Sequence, residues 1–273
     1  LLIGGITLVA TISLVSGVNR GIRRLSELNL VLAAVLLLFV FIVGPTRHLL
    51  ISVFLNVLGY GRELVTRTFD FGLLTGDSAD WSRSWTIFYW GWWIAWAPFV
   101  GMFVARISRG RTIREFVLGV LLVPTAVAAV WFTVFGNTAL QIEQATGGIS
   151  MAVTQDVSTA IYVVLERLPL GIIASALAAG VVAVFFVTSS DSASFVVDML
   201  TSGGHPNPPR WQRVFWATTE GACAAVLLYA GGEKALQALQ AVVVSIGLPF
   251  CLVILGIGVN LVIALRQEPG PGS

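Results

Sequence analysis

The chain has 273 residues, 56% of them hydrophobic and 11% charged, with a mean hydropathy of +0.88. A soluble globular domain carries about 25% charged residues, so water is excluded as the only solvent. The 16 basic and 14 acidic side chains leave a formal net charge of +2, too even a balance for a nucleic-acid partner.

A helix crossing about 30 Å of hydrocarbon needs roughly 20 mostly apolar residues. Seven runs meet or nearly meet that length, at about 1–18, 28–45, 84–105, 115–135, 169–197, 213–230 and 236–265. The fold class this predicts is an all-α, polytopic membrane protein. The first run opens Leu1-Leu2-Ile3-Gly4 without a Met or a basic leader. That is not a signal peptide; it reads as a chain cut within a helix, the C-terminal portion of something longer. Residues 48–66 are too short and too mixed to span, and read as a helix lying in the membrane interface. Residues 150–167 read as a second such helix on the outer side, with Ser150 as its N-cap and Pro169 opening the fifth span. Cys223 and Cys251 sit inside apolar runs and read as small buried hydrophobes; the chain has no CxxC or Cys/His cluster to suggest zinc or disulfides.

The loops predict orientation. Arg20, Arg23 and Arg24 crowd the first, Arg106, Arg109, Arg111 and Arg114 the third, Arg210 and Arg213 the fifth, and Arg266 follows the last span. The intervening loops are sparse or balanced by acids, among them Glu63, Asp70, Asp77 and Asp80 in the second, Glu143, Asp156 and Glu166 against Arg167 in the fourth, and Lys234 beside Glu233 in the sixth. Basic loops are cytoplasmic, which predicts an inner (plasma) membrane protein with a cytoplasmic C-terminus. The tail 268–273 reads as a disordered end. The basic third loop serves topology and anionic lipid, and Ser108, Thr112 and Glu115 are candidate caps for the span after it.

Six of the nine tryptophans fall between Trp81 and Trp96. An aromatic belt at a membrane surface explains Trp81 and Trp85. It does not explain Trp92, Trp93 and Trp96, about 10–17 Å further along at 1.5 Å per residue. At helical spacing Trp85, Phe88, Trp92, Trp96, Phe99 and Phe103 form one stripe, with Trp93 pairing with Tyr89 and Trp96 on an adjoining face. Packing alone would account for an ordinary stripe. Indole rings deep in a bilayer also suit a quaternary ammonium, whose charge carries no N–H to donate. Each desolvated aromatic face attracts such a cation by about 2 kcal/mol or more.

The run Trp85-Thr86-Ile87-Phe88-Tyr89-Trp90, with Trp92, Trp93, Trp96 and the stretch from Ala105 to Phe116, resembles the signature of the betaine/choline/carnitine transporter family. The likeness extends through Phe185 to Ser192 and through Gly247-Leu248-Pro249-Phe250. The resemblance implies a LeuT-like fold of two inverted five-helix repeats. Residues 1–84 would hold the end of the first repeat and the interfacial helix, 85–265 the second repeat, and 266–273 a cytoplasmic tail. It implies substrate contacts at Trp92, Trp93 and Trp96, and pathway aromatics at Phe88, Phe99 and Phe103. It implies a sodium site from the Phe185 carbonyl, Thr188 and Ser189, completed by helices outside this chain, and a homotrimer joined through the helix at 48–66. Hydroxyls in a membrane helix also bond back to their own backbone. Asn29 stands where sodium-independent exchangers of the family carry Arg, which favours ion-coupled uptake; Na⁺ and H⁺ stay open. No organic cofactor is implied.

Asp191 and Glu220 are the acids placed well inside spans, and such groups are paired or functional. Asp191 reads as a hydrogen-bond hub, and Glu220 as a partner of Arg213 or a vestibule residue. The expected function is a secondary transporter importing glycine betaine or choline, with another small solute such as an amino acid as the alternative. No paired acid and base, metal cluster or nucleophile sits at one depth to suggest an enzyme.

Overall fold

The computed structural model describes residues 2–16, 23–69, 83–205 and 208–267, and all regular structure among them is helical. Arg20, Asp70, Asp77, Asp80, Trp81 and the tail 268–273 lie outside the described residues. Ten helices are assigned: α1 Leu2–Ser16, α2 Arg23–Val43, α3 Thr46–Phe69, α4 Phe88–Ile107, α5 Ile113–Thr146, α6 Ile149–Gln155, α7 Ala160–Glu166 and α8 Gly171–Thr201. The last helical stretch, Arg210–Gln267, breaks at Gly232, whose φ of 50° and ψ of −132° are non-helical; its arms Arg210–Gly232 and Gln237–Gln267 are α9 and α10.

Among the described residues, six helices are long and apolar enough to cross a membrane: α2, α4 with the turn before it, α5, α8, α9 and α10. These are six of the seven predicted spans. The first run forms a 15-residue helix, apolar but short of a span among the described residues. The predicted sixth loop is replaced by the bend at Gly232, because a glycine at positive φ turns the chain without unwinding the flanking turns. Large apolar side chains point outward throughout, Ile172 86% and Leu248 75% exposed, as suits helices whose solvent is lipid.

Two packed clusters hold the helices together. Leu36 and Val40 of α2, Leu49 of α3, Val134 of α5, Leu165 of α7 and Ala174, Ala178 and Val181 of α8 form the larger. Leu14 of α1, Phe195 of α8 and Ala217 of α9 form the second, with Phe103 of α4 against it. Helix α8 is in both, so it is the post on which the others are arranged. Small residues set the closest approaches. A Cβ on Gly247 of α10 would lie 2.9 Å from the Gly91 carbonyl oxygen of α4, and one on Gly91 would lie 3.0 Å from Val244 Cγ1.

Helix α3 forms where the interfacial helix is predicted, tied to α5 by an Asn56–Thr133 hydrogen bond of 3.1 Å. Residues 150–167 are not one helix: Asp156, at φ −159°, separates α6 from a 3₁₀ turn, Val157–Thr159, and α7. Asp156 accepts from the Ser158 amide at 2.9 Å and hydroxyl at 2.6 Å, a local pairing that competes with the helix. These bonds hold its carboxyl below the usual aspartate range. Ser150 is not the cap of α6. Gly148 holds that position, and Glu143 reaches round from α5 to accept the Ile149 amide at 2.6 Å and the Ser150 hydroxyl. A carboxylate answers the orphan amides and the helix dipole better than a hydroxyl. The predicted cap of α5 is present as a reciprocal box: Glu115 N–H donates to Thr112 at 3.2 Å and Thr112 N–H to Glu115 at 3.0 Å. Ser108 instead caps the end of α4. Cys223 is exposed and Cys251 half-buried, not enclosed as predicted, because α9 and α10 turn those faces outward.

Candidate functional site

The tryptophan helix α4 has three faces. Gly91 and the buried Ala95 lie against α10, with the Phe99 ring tilted against Phe250 at 6.2 Å. Around the helix, Trp96, Phe99 and Phe103 face α8. At about 100° per residue, Trp93 lies roughly opposite Gly91, and it is 72% exposed.

The stripe divides into two groups along its length. Toward the start of α4, Tyr89 stacks on Trp85 at 5.9 Å and meets Phe88 at 5.5 Å and Trp92 at 6.1 Å, while Phe88 meets Trp92 at 5.5 Å. The expected pairing of Trp93 with Tyr89 and Trp96 is not made: the Tyr89 ring meets Trp85 and Trp92 instead. Further along, Trp96, Phe99 and Phe103 line a cavity of about 240 Å³ whose opposite wall is Ser192, Ala193, Val196 and Val197 of α8. Phe103 reaches α8 edge-on to Phe195 at 6.3 Å. Three of the six aromatic site residues therefore meet around one cavity. Phe88 and Trp92 belong to the other cluster, and Trp93 lines neither.

The residues proposed for an ion lie one turn from that wall. The Thr188 hydroxyl donates to the Phe185 carbonyl at 3.0 Å, and the Ser192 hydroxyl donates to the Thr188 carbonyl at 2.9 Å. Ser189 is exposed on the same helix. Phe185 and Thr188 thus bring their oxygens together, although the hydroxyl is committed to its own backbone. Asn29 is 3% exposed on α2.

Sequence reading missed a second polar stripe on α8. Asp191, Ser194 and Asp198 are 1%, 1% and 0% exposed, and their spacing of three and four residues puts them on one face. Asp198 fell one residue beyond the predicted span, but α8 continues to Thr201. It takes the Arg213 guanidinium at 3.3 Å, so Arg213 does not pair with Glu220. Glu220 instead accepts the Ser194 hydroxyl at 2.7 Å. The Gln212 side-chain amide donates to the Asp198 backbone carbonyl at 3.2 Å, fastening the start of α9 to the end of α8. The i, i+3, i+7 recurrence of polar residues was the available signal.

Residues 1–270 match the family model described as BCCT, betaine/carnitine/choline family transporter. An uncharacterized transporter of Mycobacterium tuberculosis is 50% identical over 255 residues, 92% of this chain and 42% of the relative. Glycine betaine transporter 1 of Vibrio parahaemolyticus is 44% identical over 264 residues, 96% of this chain and 50% of the relative. A glycine betaine transporter of Bacillus subtilis is 42% identical over 264 residues, again 96% of this chain and 50% of the relative. The chain spans about half the length of the curated relatives it matches.

Proposed function

The chain belongs to the betaine/carnitine/choline transporter family, and from that premise we propose that it forms part of a secondary active transporter importing glycine betaine or choline across the plasma membrane. The observation that carries this reading is the cavity between α4 and α8, where Trp96, Phe99 and Phe103 stand together. A quaternary ammonium needs such walls: it is large, it carries a charge that never titrates, and it offers no hydrogen-bond donor. Three ring faces attract it electrostatically while their apolar bodies replace its loosely held water. Trp92 and Trp93, with Phe88 further along the stripe, complete the path with helices outside this chain.

Coupling to Na⁺ goes with this reading. The Phe185 carbonyl, Thr188 and Ser189 supply oxygens of the kind a hard cation takes, on the helix that forms the cavity's far wall. Proton coupling is the second reading, favoured by the Thr188 hydroxyl already donating to the Phe185 carbonyl. A homotrimer joined through α3, with the C-terminus in the cytoplasm, completes the proposal.

The test is uptake of labelled glycine betaine and choline by the full-length transporter in proteoliposomes. Trp93→Ala is expected to abolish uptake at unchanged membrane abundance. Trp96→Ala should weaken apparent affinity about 30-fold if one face contributes about 2 kcal/mol. Normal uptake by both variants would remove the aromatic cage. Competition by proline in place of betaine would point to another solute, and full uptake in Na⁺-free medium under a pH gradient would favour the proton.

A further inference from the structure

Beside the cavity, and not part of it, lies a cluster of polar side chains from α1, α8 and α9. Asp191 of α8 is 1% exposed, and the Ser13 hydroxyl of α1 stands against its carboxylate. Across from it stands Glu220 of α9, near enough for the two charges to interact. Glu220 takes the Ser194 hydroxyl at 2.7 Å, with the Ser190 hydroxyl on the same carboxylate. Three helices therefore bring two interacting carboxylates and three hydroxyls into one neighbourhood.

Two like charges at membrane depth are expensive unless something positive lies between them. The guanidinium on α9 does not serve: Arg213 is bound to Asp198 at 3.3 Å, and Asp198 lies about 10 Å from Asp191 along α8 at 1.5 Å per residue. Oxygen donors only, of mixed charge and drawn from three helices, make the surroundings a hard cation takes. Soft metals would want sulfur or imidazole.

We propose that Asp191, Glu220 and the hydroxyls of Ser13, Ser190 and Ser194 form a binding site for a hard metal cation. The site is distinct from Phe185, Thr188 and Ser189. It rests on the transport reading only in taking α8 and α9 as membrane spans, and is independent of the solute and of the Thr188 site. Its occupant would bridge α1, α8 and α9, the three helices of the smaller packed cluster.

The experiment measures equilibrium binding of Na⁺ and, separately, of Ca²⁺ to the purified full-length transporter. The variants are Asp191→Asn, Glu220→Gln and Ser194→Ala, each also combined with Thr188→Ala. We expect saturable binding of one of these cations that survives Thr188→Ala alone and weakens at least about tenfold in either carboxamide variant, the scale seen when a metal's surroundings are altered. Ser194→Ala keeps both carboxylates and the volume of the helix interface, so it supplies the readout if a carboxamide variant does not fold. Unchanged binding of both cations in every folded variant would overturn the proposal. So would loss of a bound proton, without loss of either metal, in the carboxamide variants. Failure of betaine uptake in Thr188→Ala with this binding intact would count against the proposed Thr188 ion site and leave the carboxylate site standing.

Discussion

The contact between Gly91 and Gly247 sets the position of the tryptophan helix, and it can be tested by adding a single methyl group. A Cβ on Gly247 would meet the Gly91 carbonyl oxygen at 2.9 Å and its Cα at 3.1 Å, both backbone atoms that no rotamer change can move. A Cβ on Gly91 would meet Val244 Cγ1 at 3.0 Å, with Val244 Cα at 3.2 Å behind it. Ordinary contact begins at 3.4 Å, so Gly247→Ala forces α4 and α10 apart by about half an ångström. Overpacking of this kind costs about 1–3 kcal/mol. A displacement near 1 Å at a positioned binding group costs up to about 100-fold in function. Gly247→Ala is therefore expected to lower the thermal midpoint in detergent and cut betaine uptake by roughly tenfold or more. Gly91→Ala should do less, because part of its clash falls on a valine methyl. The assays are initial uptake rate in proteoliposomes and a thermal melt of the same sample. An unaffected Gly247→Ala protein, or a Gly91→Ala protein clearly worse than it, would refute the packing argument.

Arg213→Met should be strongly destabilising, since it leaves Asp198 fully enclosed without its cation; removing one partner of a buried pair costs about 3–5 kcal/mol. Adding Asp198→Asn to it should recover much of the loss in a thermal melt, and no recovery would mean the pair is not what matters. Thr112→Ala removes one half of the box at the start of α5 and should cost about 1 kcal/mol, read as faster hydrogen exchange in the first turn. Asp156 should titrate below an ordinary aspartate, followed by carbon NMR of its carboxyl, and Ser158→Ala should return it toward the normal range. Because that value is depressed in the folded chain, its contribution is present above the ordinary aspartate range and fades as pH falls through the lowered value.

Hydropathy made most of the architecture legible, since a span is a matter of length and composition along one dimension. Six membrane-length helices, a helix over 48–66, the tryptophan stripe and the Thr112–Glu115 box follow from spacing alone. What sequence could not supply is which face of one helix meets which face of another. Arg213 has two acids within plausible reach, and only the register of α8 against α9 selects Asp198 over Glu220. Tyr89 has aromatic neighbours at helical spacing both before and after it, and spacing alone does not choose Trp85 and Trp92 over Trp93. Ser150 lost the capping position to Gly148, and the Gly147–Gly148 turn folds Glu143, seven places before Ser150, back over the new helix start. Asp198 was hidden by its own charge, which ended the apolar run before the helix itself ended.

Ser192 looks both ways: its side chain forms part of the cavity wall while its hydroxyl holds the Thr188 carbonyl. A guest pressing on that wall and a cation held at Thr188 would both bear on the Ser192–Thr188 hydrogen bond. Linkage then runs in both directions, each occupant altering the other's affinity by one common factor. Cotransport would need no long relay here, only a single shared hydroxyl between two tenants.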